Sequence, residues 1–439
     1  MKRVLVIGGL DPSGIAGISA DIRALSALDV MVAPVTTGIV LENSEKVDEI
    51  IPHDPKLIAK AIRCAVDDGE PSAVKLGMLY SAECARVVAK ELEDLECPII
   101  VDPVLSASVG TQLAEAGLPD ALVEYVFPVA DLVTPNAREL EALSGMKVTN
   151  LQAAEKAANS LMIRGGPGAI LVKGGHLRGK LAADLLVEPK KVTEFASPRL
   201  SLEGLRGLGC TYASLIAGYM AMGEGLRDSI GQAKDNLHTS LELAQPIGSA
   251  LALNPMNRVV RGSERYRIME EMRAALPELL NAFVPKLMPE VGNNLAYALW
   301  GATDPSDVCG LDSRIVLKGD RAATVGTPAF GASRHMSRVV ITTIQYDPSV
   351  RCVINLKYSK EVVAAAKKVG LTEASFDRKD EPKAVKTMAW GTAAAIQDKG
   401  FVPDIIWDAG GHGKEAMVRL LGRNPADLVY KVRQIARWL

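Results

Sequence analysis

No Cys-x-x-Cys pair occurs in this 439-residue chain, and its six cysteines (Cys64, Cys84, Cys97, Cys210, Cys309, Cys352) lie scattered with no histidine doublet nearby. That excludes the usual structural zinc spacings and argues against a disulfide framework, so a reducing cytoplasm is the expected compartment. No apolar run reaches the ~18 residues that a bilayer demands, and no membrane partner is expected. Neither sign of charge is in excess: the formal net charge of −2 gives no electrostatic case for nucleic acid. Met1 to Gly9 carries too short an apolar segment for a signal peptide and reads as a first strand. The glycine-rich stretch Gly9-Leu10-Asp11-Pro12-Ser13-Gly14-Ile15-Ala16-Gly17 lacks a Lys-Ser/Thr after Gly14 and is not Gly-x-Gly-x-x-Gly. Neither common nucleotide fingerprint applies.

What remains is a globular composition, with 48% hydrophobic and 23% charged residues, on a chain long enough for two domains. To about residue 250, short β-branched runs alternate with amphipathic segments. The strands expected are Val4–Ile7, Val32–Val40, Ala73–Leu76, Pro98–Val101, Leu132–Thr134 and Ala169–Val172; helices are expected at Ser19–Leu28, Pro55–Ala65 and Ala82–Leu95. Such alternation predicts a mainly parallel sheet covered by helices, with ligands at the carboxyl ends of its strands. Asp11, Asp102, Asn136 and Lys173 all fall at such ends. Turn chemistry at Gln245-Pro246-Ile247-Gly248 and Asn254-Pro255-Met256-Asn257 precedes a polar stretch, which predicts a linker near 257–264 and a helix starting near Tyr266. The domains expected are 1–257 and 264–439, unlike one another, with strands in the second at Arg338–Ile344, Arg351–Leu356 and Ile405–Trp407.

The most informative segment is Gly207-Leu208-Gly209-Cys210, followed by the apolar run Thr211 to Gly218. Two glycines permit a tight turn into a helix whose free amides and dipole favour a phosphate. A cysteine at such a helix start is expected to have a lowered pKa. Phosphate chemistry is the first reading.

Gly9 through Asp21 resembles the opening of hydroxymethylpyrimidine (phosphate) kinases of the ribokinase-like superfamily. The likeness continues through Leu76-Gly77-Met78-Leu79, Val101-Asp102-Pro103-Val104, Thr134-Pro135-Asn136-x-x-Glu139, Val172-Lys173-Gly174-Gly175-His176 and Gly207–Cys210, covering residues 1–256 in order. It implies a three-layer α/β/α kinase domain using ATP and Mg²⁺. In it Asp21, Glu42 and Met78 line a pyrimidine pocket, and Asn136 and Glu139 organise Mg²⁺ and the transferring phosphate. Asp102 and Lys173 lie toward the nucleotide, His176 packs beside it, and Gly207, Gly209 and Cys210 form an anion hole with Cys210 as general base. Three positions depart from the pattern: Glu42 stands where relatives usually have glutamine, Leu208 where threonine is common, and Ser108 where lysine is common.

The segment from about 264 resembles the archaeal-type thiamine-phosphate synthase domain. The likeness rests on Gly292-Asn293-Asn294, Asp312-Ser313-Arg314-Ile315, Ala332-Ser333-Arg334-His335-Met336, Asn355-Leu356-Lys357-Tyr358-Ser359, Ser375-Phe376-Asp377-Arg378 and Asp408-x-Gly410-Gly411-His412-Gly413-Lys414-Glu415. It implies a smaller α/β/α fold like class II aldolases, without their zinc histidine pattern. Arg314 and His335 are the implied catalytic pair, stabilising a departing pyrophosphate. Asn355, Lys357, Asp377, Arg378, Asp408, His412 and Lys414 are assigned to substrate, with Asp377 and Asp408 open between aminopyrimidine and Mg²⁺. Gly410 to Lys414 is expected to open a helix over Glu415–Leu421. The combined expectation is a bifunctional enzyme taking small-molecule pyrimidine and thiazole phosphates, as a homo-oligomer. The competing readings are a pyridoxal-type kinase and a C-terminal domain that senses thiamine phosphate without turnover.

Overall fold

The computed structural model describes residues 1–176, 179–380, 387–411 and 414–439. The chain divides into two compact units, Met1–Val259 and Val260–Leu439.

In the N-terminal unit the strands β1 (Arg3–Leu10), β2 (Met31–Glu42), β3 (Val47–Pro52), β4 (Ala73–Leu76), β5 (Ile99–Val101), β6 (Leu132–Val133), β7 (Ile170–Val172), β8 (Leu181–Glu188) and β9 (Lys191–Pro198) form one sheet in the order β3-β2-β1-β4-β5-β6-β7-β8-β9. The six strands from β2 across to β7 are parallel, while β3, β8 and β9 add antiparallel edges. β4 to β7 are buried throughout, as strands covered on both faces must be. A small sheet of β10 (Leu205–Arg206), β11 (Gln245–Ile247) and β12 (Ala250–Ala252) stands apart. The helices are α1 (Gly17–Ser26), α2 (Pro55–Asp67), α3 (Ala82–Leu92), α4 (Leu118–Ala121), α5 (Ala137–Ser144), α6 (Leu151–Gly165), α7 (Leu208–Ala221) and α8 (Leu226–Glu242). Two apolar layers result. One packs α2 to α6 on the sheet; the other packs α1, α7 and α8 on its opposite face. α7 is hydrophobic all round and buried from Thr211 to Tyr219, which anchors the Gly207–Cys210 turn at its start.

The expected linker at 257–264 is corrected: α9 runs unbroken from Met256 to Ala282, across the boundary between the units. Asn254-Pro255 is a helix start rather than a loop. The Asn254 side chain accepts from the Met256 N–H at 3.2 Å, and proline sits where a missing N–H costs nothing. The polar residues that follow form a charged helix surface, with Arg261 2.9 Å from Asp307 and Arg267 2.6 Å from Glu271.

The C-terminal unit is built on β13 (Leu295–Ala298), β14 (Val308–Leu311), β17 (Pro328–Phe330), β18 (Cys352–Lys357), β19 (Glu373–Ser375), β20 (Ile405–Asp408) and β21 (Met417–Gly422), in the order β17-β14-β13-β18-β21-β20-β19, with β15 (Val316–Lys318) and β16 (Arg321–Ala323) as a separate hairpin. One face carries α9, α11 (Lys360–Lys368) and α13 (Pro425–Ala436); the other carries α10 (Arg334–Tyr346) and α12 (Thr387–Lys399). Two expectations fail here. Arg338–Ile344 lies inside α10, because its β-branched run presents Val339, Val340, Thr343 and Ile344 to the core while Arg338 faces outward. Glu415–Leu421 holds strand β21, not a helix. That strand is central and buried on both faces, and a short continuous apolar run does not reveal its period. Among the described residues no helix is long and apolar enough to cross a membrane.

Candidate functional site

The N-terminal unit holds a cavity of about 490 Å³ at the carboxyl ends of its parallel strands. Its lining includes every site residue expected there: Asp21, Glu42, Met78, Asp102, Asn136, Glu139, Lys173, Gly207, Gly209 and Cys210. Local chemistry explains how they converge. The buried Asp11 carboxylate accepts from the N–H groups of Ser13 (2.7 Å), Ile15 (3.1 Å) and Ala16 (2.8 Å) and from the Ser13 hydroxyl (2.8 Å), which folds the first loop over the strand end. Gly207 caps α7 with φ of 72°, and a Cβ there would stand 2.2 Å from the Ile15 carbonyl oxygen. Only glycine allows the two loops to approach this closely. No side chain caps α7, so its first amides remain available at the cavity.

At the ends of β6 and β7, Asn136 and Lys173 lie side by side in a parallel bridge. Asn136 starts α5 with a capping box: its side chain accepts from the Arg138 and Glu139 N–H groups, and Glu139 accepts from the Asn136 N–H at 2.8 Å. Lys173 donates to Asp102 at 2.5 Å and lies 3.9 Å from Glu139. Burial pushes the Glu139 carboxyl up to about 7, and Asp102 adds to the rise against the pull of Lys173. Asp21 is fully buried, meets Lys75 at 2.9 Å and accepts from the Ser214 hydroxyl at 2.8 Å. Burial opposes the charged ammonium of Lys75, yet Asp21, Cys210 and Asp102 outweigh it and hold its pKa above the ordinary value. Met78, Val40 and Leu113 form an apolar wall.

Cys210 lines this cavity, but its expected lowered pKa is corrected. Burial pushes the thiol up to about 12; Lys75 and the Gly17 backbone pull the other way and lose, with Asp21 and Asp102 adding to the rise. A helix start offers partial charge within one turn, too little here to offset removal from water.

Sequence reasoning missed several lining residues. Lys75 was visible as the one charge inside the strand Ala73-Val74-Lys75-Leu76. Arg206 directly precedes the glycine turn. Asp184 and Lys234, paired at 2.6 Å toward the β8 side of the cavity, left no local signal.

In the C-terminal unit the strand registers gather the expected residues along one sheet edge. The ends of β14, β18, β19 and β20 and the start of β21 lie there, bringing the loops of Arg314, Lys357, Asp377, Arg378 and Lys414 to a common side. Ser333, which precedes Arg334 and His335 at the start of α10, packs against Gly310 beside Asn294. Arg314, His335, Lys357, Asp377 and Lys414 are exposed. Two assignments change. Asn355 is buried and uses both ends of its amide on the Gly292–Asn294 turn, accepting from the Asn294 N–H at 2.7 Å and donating to the Gly292 carbonyl at 2.9 Å. Asp408 is fully buried and accepts from Arg378 at 2.5 and 3.1 Å, Arg419 at 2.9 Å and the Gly410 N–H at 2.9 Å. Asn355 and Asp408 thus build the edge, with their polar atoms engaged by the protein, while the half-buried Arg378 is held there through Nε and Nη2. His412 and the side chain of His176 lie outside the described residues. A second cavity of about 600 Å³, lined by Arg351, Trp300 and Arg423 among others, includes none of the described expected residues.

Residues 11–256 match the family model described as phosphomethylpyrimidine kinase, and residues 271–434 match that described as thiamine-phosphate synthase ThiN. The bifunctional thiamine biosynthesis protein ThiDN of Methanocaldococcus jannaschii is 31% identical over 436 residues, covering 99% of this chain and 98% of that one. The hydroxymethylpyrimidine/phosphomethylpyrimidine kinase of Aquifex aeolicus is 32% identical over 56% of this chain and 96% of its own. Among solved structures, pyridoxal kinase from Staphylococcus aureus in complex with AMP-PCP and pyridoxal superposes with a TM-score of 0.53 at 25% identity, over 58% of this chain and 93% of that one. The N-terminal unit therefore has the ribokinase-like fold, and the chain belongs to the family of bifunctional thiamine biosynthesis proteins in which a phosphomethylpyrimidine kinase domain precedes a ThiN-type thiamine-phosphate synthase domain.

Proposed function

We propose that the N-terminal unit phosphorylates hydroxymethylpyrimidine and then its monophosphate with ATP, and that the C-terminal unit joins the resulting diphosphate to a thiazole phosphate, giving thiamine phosphate and pyrophosphate. The observation that carries the first half is the single cavity in which Asp21, Glu42 and Met78 lie with Lys173 and the Gly207–Cys210 turn. Phosphoryl transfer asks for positioning and for neutralised charge more than for covalent help. The apolar wall of Met78, Val40 and Leu113 takes the faces of the ring, and polar groups at Asp21 and Glu42 orient its edge. The α7 amides and Lys173 receive the charge that gathers on the transferring group. The fraction of Cys210 present as thiolate, which Lys75 favours against burial and which grows with pH, takes the hydroxyl proton at Sγ.

Among the described residues no three His, Cys, Asp or Glu groups converge as a protein-only metal cage. The donors do fit an ion that arrives on phosphates, because Glu139 is a buried carboxylate whose raised pKa a nearby cation would relieve. Asn136 and Glu139 would hold it, and Mg²⁺ supplies charge neutralisation on the nucleotide phosphates when bound.

In the C-terminal unit the exposed cations Arg314, Lys357 and Lys414 share the sheet edge fixed by Asn355 and Asp408. Arg314 meets the departing pyrophosphate and His335 donates a hydrogen bond to it, while the neutral thiazole nitrogen attacks without a base. The full chain is to be incubated with ATP, Mg²⁺, hydroxymethylpyrimidine and thiazole phosphate, with thiamine phosphate measured. A second arm supplies preformed pyrimidine diphosphate. Product in both arms is expected; ATP consumed in the first with no product in either would remove the synthase half, and no ATP consumed in the first with product in the second would remove the kinase half.

A further inference from the structure

Arg206 is almost wholly buried, at 4% exposure, on the short strand that leads directly into Gly207. One nitrogen stands 3.1 Å from the Glu42 carboxylate at the end of β2, and another donates to the Ser44 carbonyl at 2.8 Å in the β2–β3 turn. Ser44 is tied in turn to Ser249, whose N–H donates to the Ser44 hydroxyl at 3.2 Å beside β12, the strand that pairs with β10. A single cation thus joins one end of the cavity to the backbone that carries the anion turn.

We propose that Arg206 is a specificity-determining residue of the kinase: it favours the ionised, acceptor form of Glu42 toward the exocyclic amine of an aminopyrimidine and, one residue before Gly207, ties occupancy of that end of the cavity to the placement of the anion turn. This rests on the kinase reading above. An ionised carboxylate accepts and never donates. It therefore favours a ring that presents an amine and disfavours one that presents a phenolate oxygen, as a pyridoxal-type ring does. The groups facing Glu42 are Asp11 from the loop after β1 and Arg206 from β10; the Asp21–Lys75 pair lies deeper in the same cavity, and Lys46 and Asp48 at the hairpin satisfy each other at 2.6 Å. Burial first, and Asp11 second, push the Glu42 carboxyl up to about 7, and Arg206 alone opposes them. At that value the carboxyl is fully ionised only above neutral pH, and without the cation it keeps its proton to still higher pH, as a donor toward the amine.

The test uses the full chain and measures kcat and KM for hydroxymethylpyrimidine and for pyridoxal between pH 5.5 and 9, in wild type, Arg206→Met, Arg206→Lys and Glu42→Gln. Arg206→Met should raise KM for the aminopyrimidine roughly tenfold, the loss expected for one charge-assisted hydrogen bond, narrow its advantage over pyridoxal, and move the KM inflection from near 7 to higher pH. Arg206→Lys should restore the inflection, and Glu42→Gln should abolish it. An unchanged inflection and substrate ratio in Arg206→Met would overturn the assignment while leaving the kinase reading intact. Should Arg206→Met fail to fold, an inflection near 7 that persists in Glu42→Gln overturns it equally. Wild-type turnover of neither ring would overturn the kinase reading and this inference together.

Discussion

Lys173 donates to Asp102 across 2.5 Å directly beneath Gly209, where an added Cβ would stand 3.2 Å from the ammonium nitrogen and 3.3 Å from a carboxylate oxygen. The turn therefore leaves too little room for a side chain at position 209 unless the ion pair beneath it shifts. Gly209→Ala should displace Lys173 by a few tenths of an ångström and lower kinase kcat roughly tenfold, since a misplacement of about 1 Å costs on the order of 10²-fold. Steady-state kinetics with circular dichroism on the same sample checks this; a full rate would show that the contact has slack.

Cys210 bears on the pH profile. A thiol pushed up to about 12 is protonated at neutral pH, and its thiolate fraction grows tenfold per pH unit below that value. If it takes the substrate proton, kcat of the wild type should keep rising from pH 7 to 10. Cys210→Ala should lose that rise along with about 10²-fold of the rate, the lower range for general base catalysis. Alkylation of Cys210 should also lag behind that of the exposed Cys64, as peptide mass spectrometry would read. An alanine variant with the same alkaline rise would leave the cysteine a packing role.

Asp408 holds two arginines, Arg378 and Arg419, from a fully buried position. Asp408→Asn removes the carboxylate charge that both guanidinium groups share, a loss of about 3–5 kcal/mol for breaking a buried pair. Calorimetry should show a lower melting transition for the C-terminal unit, with synthase activity lost and ATP-dependent phosphorylation retained. A synthase of normal stability would mean that water replaces the carboxylate there.

Arg314 is exposed, so its removal has little to cost the fold. Arg314→Ala should abolish thiamine phosphate formation from preformed diphosphate with no change in melting temperature. Undiminished product formation would shift the leaving-group role to another cation on the same edge.

The elements legible in the sequence were those with a local physical signature. Val4–Ile7, Ala73–Leu76 and Ala169–Val172 read as strands of a parallel sheet from composition and alternation with helices, and the turn Gly207–Cys210 read as an anion cradle from two glycines before an apolar helix. Two of the errors share one cause. Arg338–Ile344 and Glu415–Leu421 are apolar runs whose period is hidden by burial, so the neighbours that cover them decide between helix and strand. Asn254-Pro255 carries the same residues in a turn and at a helix start.

Side-chain roles divide along the same line. While Asp21, Glu42, Met78 and Glu139 came from the family resemblance, order along the chain was enough to bring Asp11, Asp102, Asn136 and Lys173 to the N-terminal cavity, because each follows its own strand and parallel topology brings strand ends together. Which charge meets which was not: the pairs Lys75–Asp21, Lys234–Asp184, Arg206–Glu42 and Arg419–Asp408 join residues between 11 and 164 positions apart. Desolvation is likewise a property of the packed molecule, so the thiol that a helix start alone would acidify is driven the other way once the cavity closes around it.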